Sequence, residues 1–200
     1  MLQQPTLLLA STSIYRRELL SRLRLAFGVV APDVDEAPGP QEPAAEVALR
    51  LSLAKARAVA RRHPEAIVIG SDQVAELDGL LLGKPGNHDN AVQQLRAMSA
   101  QRVVFHTAVS VVCLRSGFAA SDLARVTVTF RSLGDDEIER YLLAERPYDC
   151  AGSAKSEALG IALLQSVESD DPTALIGLPL IRTCELLRRA GVDPLNPGPP

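Results

Sequence analysis

Apolar and polar positions along the chain switch repeatedly between a two-residue and a 3.6-residue period. Residues 6–10, dominated by consecutive leucines, predict a short buried strand, and residues 15–23 predict a helix. Residues 27–31 predict a second strand, followed by the acidic loop Pro32-Asp-Val-Asp-Glu-Ala-Pro-Gly-Pro40. From about residue 44 to 62, Val47, Ala48, Leu51, Ala54, Ala58 and Val59 line one side of a helix that stops before Pro64. Residues 66–70 are a β-type run ending in Ser71-Asp72-Gln73. Residues 74–77 and 80–82 flank Asp78-Gly79, a hairpin signal. Residues 89–98 predict a helix, and two long strands, about 103–114 and 124–131, surround the turn at Ser116-Gly117. In the second of these, Val126, Val128 and Phe130 alternate with Thr127, Thr129 and Arg131, so one face is buried. A helix over 135–144, a polar loop over 152–160, a strand over 161–167 and a final helix over 180–189 complete the pattern. The tail Asn196-Pro-Gly-Pro-Pro200 is expected to be disordered. The resulting class is mixed α/β, with helix-alternating elements at both ends of a long antiparallel hairpin.

Composition narrows this picture. Two hundred residues fit one large domain or two small lobes, and 46% apolar content is ample for a core. A net charge of −3 leaves no global basic field for nucleic acid, although a local basic pocket is compatible with it. No apolar run approaches the roughly 20 residues of a membrane helix. Met1-Leu2-Gln3-Gln4-Pro5 lacks the basic and apolar regions of a signal peptide. Cys113, Cys150 and Cys184 are far apart with no CxxC pair, which disfavours a disulfide framework or a zinc site. A reducing, cytoplasmic setting is therefore expected. His63, His88 and His106 are isolated and read as surface or core residues rather than ligands.

Several positions carry candidate chemistry. Ser11-Thr12-Ser13 precede Arg16 and Arg17 at a helix start. Hydroxyls, backbone N–H groups and two guanidiniums within about two turns suit a polyphosphate. Solvated arginines on an exposed face are the alternative, weakened because cations oppose the helix dipole there unless an anion is present. Lys55 falls inside the apolar stripe of its helix, so it either snorkels to the rim or reaches a phosphate or carboxylate in a cleft. Asp72 is placed at a strand end, where ligands of α/β sheets bind; it either caps a turn or holds a cation or polarises water. Asp33, Asp35 and Glu36 suit Mg²⁺ or Mn²⁺ by density, or form a solvated acidic loop. Gly79-Leu-Leu-Leu-Gly83-Lys84-Pro85 is no Walker A loop: it is one residue short between its glycines and lacks the Ser/Thr, though Lys84 remains a phosphate-binding candidate. Ala151-Gly-Ser-Ala-Lys-Ser-Glu-Ala-Leu-Gly160 is a loop that either closes over a ligand or lies on the surface.

Together these segments resemble the Maf family, the septum-formation-inhibitor-like nucleotide pyrophosphatases, over about residues 7–195. The resemblance rests on Leu9-Ala-Ser-Thr-Ser13 with Arg16-Arg17, on Asp33-Val-Asp-Glu36 and on Leu53-Ala-Lys55-Ala. It continues through Gly70-Ser-Asp-Gln73, Gly83-Lys-Pro85, Cys150-Ala-Gly-Ser153 with Lys155 and Glu157, and Gly177-Leu-Pro179. It implies an elongated mixed sheet with flanking helices, two lobes around a central cleft in a single domain over residues 1–195, and often a homodimer. It also implies divalent-metal-dependent hydrolysis of a nucleoside triphosphate to the monophosphate and pyrophosphate. Asp72 matches the family's proton acceptor. Ser11, Arg16, Arg17, Lys55 and Lys84 match its phosphate-site positions, and Glu36 matches an acidic position serving the metal, Mg²⁺ or Mn²⁺.

Within the family, Gln73 and Glu157 are similar to the branch acting on 7-methyl-GTP, a modified nucleotide removed from the pool, rather than to the dTTP/UTP branch. The chemistry agrees, since 7-methylguanine is cationic. Glu157 can accept from its N–H edge, and Tyr15 can stack on it, worth roughly 1–3 kcal/mol per base. The chain departs from that branch at Tyr15, usually Trp, and at Ile14, usually Pro. Two rivals remain open at this point: a pyrophosphatase for another triphosphate such as dTTP or UTP, and a non-catalytic nucleotide-binding regulator of cell division, the role the family's name suggests.

Overall fold

The computed structural model describes residues 6–196; residues 1–5 and 197–200, which hold most of the tail expected to be disordered, lie outside the described residues. Among the described residues, seven strands and five α-helices follow in the order β1 (Leu7–Ala10), α1 (Ile14–Ser21), β2 (Gly28–Val30), α2 (Ala44–Arg62), β3 (Ile67–Leu77), β4 (Leu80–Leu82), α3 (His88–Met98), β5 (Arg102–Cys113), β6 (Phe118–Phe130), α4 (Asp135–Glu145), β7 (Leu164–Glu168) and α5 (Leu180–Arg189). The strands form one mixed sheet in the order β2-β1-β3-β5-β6-β7, with β4 attached to β3. β1 is parallel to β2 and β3, and the remaining pairs are antiparallel. Among the described residues no helix is long and apolar enough to cross a membrane.

One edge of β3 explains the cleft. Its first four residues pair with β1, Leu7↔Ile67 to Ala10↔Gly70, and its last three pair with β4, Ala75↔Leu82 to Leu77↔Leu80. Residues 71–74 have no partner strand on that edge, while β5 runs unbroken along the other from Val68 to Glu76. The sheet is therefore continuous on one side and split on the other. One lobe packs β1 and α5 around Leu9, Leu19, Ile69, Leu178 and Leu186. The second packs α3 and α4 against Phe105, Phe130 and Leu95.

Three expectations are corrected here. Asp72 does not end a strand: β3 continues through Ser71-Asp72-Gln73 to Leu77, because β5 supplies hydrogen bonds along the whole segment. The strand that does end beside Asp72 is β1, so the crevice lies at the carboxyl end of a parallel strand after all. The last strand starts three residues later than expected, since residues Leu159–Leu163 form 3-10 turns. In β6 the strand begins at Phe118 rather than near residue 124, because Phe118–Leu123 pair with the buried half of β5 despite the polar Ser121 and Asp122.

α2 lies close against the sheet at Gly70. A Cβ there would sit 2.2 Å from the Ser52 carbonyl oxygen and 2.7 Å from the Ala56 nitrogen, so only glycine allows this approach. The contact brings the Lys55 side of α2 down onto Asp72.

Candidate active site

The cleft between the lobes has a volume of about 620 Å³. Its floor begins where β1 ends. Ser11 is buried and its Oγ accepts from the Ser13 backbone N–H at 3.1 Å. Ser13 in turn caps α1, its Oγ accepting from the Arg16 N–H at 3.4 Å. This short hydroxyl relay turns the chain so that Arg16 enters the cleft, where its Nε donates to the Gly177 carbonyl at 2.9 Å. Arg17, the next residue on the helix, is exposed and lies outside the cleft lining. Successive helical residues point about 100° apart, so a single turn can present only one of the pair.

Lys55 does not snorkel. It is 4% exposed, and its Nζ hydrogen-bonds Asp72 Oδ1 at 2.6 Å and lies 2.8 Å from Glu36 Oε1. Burial of Lys55 among apolar neighbours is thus matched by two carboxylates, one from β3 and one from the Pro-bounded loop. Burial pushes the Glu36 carboxyl up, but the hydrogen bond and charge of Lys55, with Lys84 and Arg16 further off, outweigh it and hold the group below the usual range. For Arg16, burial dominates and lowers the guanidinium's pKa, opposed by Asp72 and Glu36. Lys84 stands exposed on the cleft wall after the β3–β4 hairpin.

The specificity candidates occupy the other end. Gln73 lines the cleft, and its Nε2 donates to Thr107 Oγ1 at 2.9 Å, to the Ala174 carbonyl at 2.9 Å and to the Leu175 carbonyl at 3.0 Å. The amide nitrogen is fully engaged, so the carbonyl oxygen Oε1 is the group left for a ligand. Tyr15 is half-buried, and Lys155 Nζ stands 5.8 Å from its ring centroid. Burial raises the Tyr15 hydroxyl, opposed by Lys155. Glu157 is exposed on the cleft rim. Cys150 also lines this end, and burial, helped by Asp149, pushes its thiol up to about 12.

Mg²⁺ or Mn²⁺ fits the donors that are present. Asp72 and Glu36 already converge on one cationic atom, and neither has a hydrogen bond recorded to its second carboxylate oxygen among the described residues. No group of three or more His, Cys, Asp or Glu residues converges among the described residues. A magnesium-type ion takes one or two carboxylates and completes its shell with water and substrate phosphate oxygens, which suits a two-carboxylate set.

Sequence reasoning missed the floor beneath these groups. Ser71, Thr107 and Asp171 are all buried, and they hold the segment from residue 173 to 177 against the sheet. Gly177-Leu-Pro179 marked that segment, but nothing in its composition revealed that a carbonyl there would meet Arg16.

The fold is that of an α/β protein with an open mixed sheet whose two lobes share three long strands and enclose a ligand cleft. Residues 6–190 match the family described as Maf-like protein, and the chain belongs to the Maf family. It is similar to the protein named 7-methyl-GTP pyrophosphatase of Polaromonas sp. strain JS666, 68% identical over 186 residues that cover 93% of this chain and 85% of that one. It is 62% identical to the protein of the same name from Albidiferax ferrireducens, covering 96% of this chain and 97% of that one. The Bordetella pertussis protein of that name is 56% identical, covering 98% and 97%.

Proposed function

We propose that the protein hydrolyses 7-methyl-GTP to 7-methyl-GMP and pyrophosphate, its two lobes acting as one catalytic unit. The observation that carries this reading is the Lys55–Asp72–Glu36 cluster facing Arg16 in a cleft whose far end presents Gln73, Tyr15 and Glu157. The names borne by relatives 56–68% identical support the choice of base.

In this mechanism Ser11, Arg16 and Lys84 bind the triphosphate, with Arg17 at the outer edge, and Lys55 holds Asp72 in place. A water oxygen attacks the α-phosphorus, the bond from that phosphorus to the bridging oxygen breaks, and pyrophosphate leaves. Asp72 accepts the water's proton, since Lys55 engages only its Oδ1. Asp72 and Glu36 would hold Mg²⁺ or Mn²⁺, which supplies charge neutralisation on phosphate oxygens and a more acidic water. Positioning and charge stabilisation then carry most of the acceleration, as is usual for transfer at phosphorus. At the base end, Tyr15 stacks on the cationic 7-methylguanine, while Glu157 and Gln73 Oε1 accept from its N–H edge.

The test is pyrophosphate release from 7-methyl-GTP, GTP, UTP and dTTP side by side, with Mg²⁺, Mn²⁺ or chelator. Metal-dependent release, fastest with 7-methyl-GTP, is expected. Faster turnover of UTP or dTTP overturns the substrate, and no release from any triphosphate favours a nucleotide-binding regulator.

A further inference from the structure

The segment from Asp171 to Leu180 contains more buried polar structure than a connection between a strand and a helix requires. Asp171 is fully buried. Its Oδ1 accepts from the Thr173 backbone N–H at 3.3 Å and from Thr173 Oγ1 at 2.9 Å. Its Oδ2 accepts from the N–H groups of Ile181 at 2.9 Å and Arg182 at 3.3 Å, the first turn of α5. The residue preceding that helix is Pro179, which caps nothing with its side chain, so a carboxylate eight residues upstream does the capping instead. Thr173 closes the segment from the other side: Oγ1 also accepts from the Leu180 N–H at 2.8 Å and lies 2.8 Å from the Leu178 carbonyl.

The segment so fixed presents three carbonyls to the cleft floor. Those of Ala174 and Leu175 accept from Gln73, and that of Gly177 accepts from Arg16 Nε and lies 3.0 Å from Ser71 Oγ, a hydroxyl it shares with the Ala108 carbonyl. Gly177 has φ +121°, a backbone conformation that side-chain-bearing residues rarely adopt, so glycine is what lets the carbonyl face Arg16. An arginine whose Nε is held by a carbonyl is restricted in how its guanidinium can turn, and its Nη1–Nη2 edge stays free for an anion.

We infer that the Asp171–Leu180 segment is a positioning device that aims the Arg16 fork at the polyphosphate, with Asp171 as the residue that sets it. The inference rests on Arg16 binding phosphate, not on the identity of the base or on turnover. Asp171 touches no substrate; it acts through the Gly177 carbonyl. A purely structural Asp171 would serve α5 alone and would be indifferent to the side chain at position 16.

A double-mutant cycle read out by calorimetric binding of inorganic tripolyphosphate separates these cases. Arg16→Lys keeps the positive charge and removes the Nε donor. Asp171→Asn is expected to weaken tripolyphosphate binding about tenfold when Arg16 is present, and by less than about twofold in the Arg16→Lys background. Its effect on thermal unfolding should be the same in both backgrounds. Equal weakening of binding in both backgrounds overturns the inference. Where Asp171→Asn fails to fold, Thr173→Val passes through the same cycle with the same criteria. Coupling in a protein that hydrolyses no triphosphate would retire the proposed reaction and leave this inference standing.

Discussion

At the β1 end of the cleft the charged groups are paired within the protein: Lys55 with Asp72 and Glu36, Arg16 with the Gly177 carbonyl. These groups come from β3, α2 and α1, regular elements packed against the core, and from two braced loops. The other end shares β3 and α1 through Gln73 and Tyr15, but adds the loop over residues 146–157, where Arg146, Gly152 and Ser153 all have positive φ and Glu157 is exposed. The difference assigns different physics to the two ends. Charge stabilisation of a transition state needs groups fixed before the reaction, because reorientation during it costs free energy. Base selection needs only a difference in affinity between ligands, and a wall with exposed polar groups such as Glu157 supplies that.

The sharpest way to break this comparison is Asp72→Asn. Losing the proton acceptor is expected to slow pyrophosphate release about 10²–10⁴-fold. The factor should be the same for every triphosphate the protein accepts, measured by single-turnover release with folding checked by circular dichroism. A loss that depended on the base would show that the two ends are not separate, and near-normal turnover would remove Asp72 from the chemistry.

A smaller effect of opposite character is expected at the other wall. Glu157→Gln with Gln73→Thr should cut the preference for 7-methyl-GTP over UTP about 10–100-fold, read as the ratio of kcat/KM values. Turnover of the better substrate at saturation should stay within the same order. Glu157→Gln is measured alone first, because Gln73 also braces the Ala174 and Leu175 carbonyls. An unchanged ratio in the pair would refute the specificity role of both residues.

The legible and illegible parts of the sequence divide along the same line. α2 and α5 run over the residues expected, Ala44–Arg62 and Leu180–Arg189, because an amphipathic pattern ends at a breaker in each. Lys55 stood out because a charge inside such a stripe needs a partner, and the structure gives it two. The strand break assigned at Asp72 failed because polarity was taken to end a strand, whereas the ladder to β5 continues and only the opposite edge is vacated. Arg16 and Arg17 could not be told apart without the helix phase relative to the cleft. The Asp171 network was invisible because its partners are backbone groups, the N–H donors of Thr173, Ile181 and Arg182 and the Gly177 carbonyl that meets Arg16, which carry no side-chain signature.

The smallest expected change concerns Cys150, which reports on the loop wall without entering the chemistry. Burial, with Asp149 beside it, pushes the thiol up to about 12, so the neutral form is favoured in the folded cleft. At pH 8 only about one part in 10⁴ is then thiolate, the species that iodoacetamide attacks. Because the folded value is raised, this term favours the fold fully below the ordinary thiol range and is lost as pH climbs towards 12. Alkylation of Cys150, followed by peptide mass spectrometry, should therefore be slow at pH 8 and rise about tenfold per pH unit up to at least pH 10. Saturating 7-methyl-GMP should slow it further, since Cys150 and Glu157 line the same end of the cleft. A plateau near pH 9 would mean that the loop opens widely enough to hydrate the thiol, placing the base wall in motion before any nucleotide arrives. Protection by inorganic pyrophosphate as strong as that by the nucleotide would instead couple the two ends, and the division of labour between them would fall.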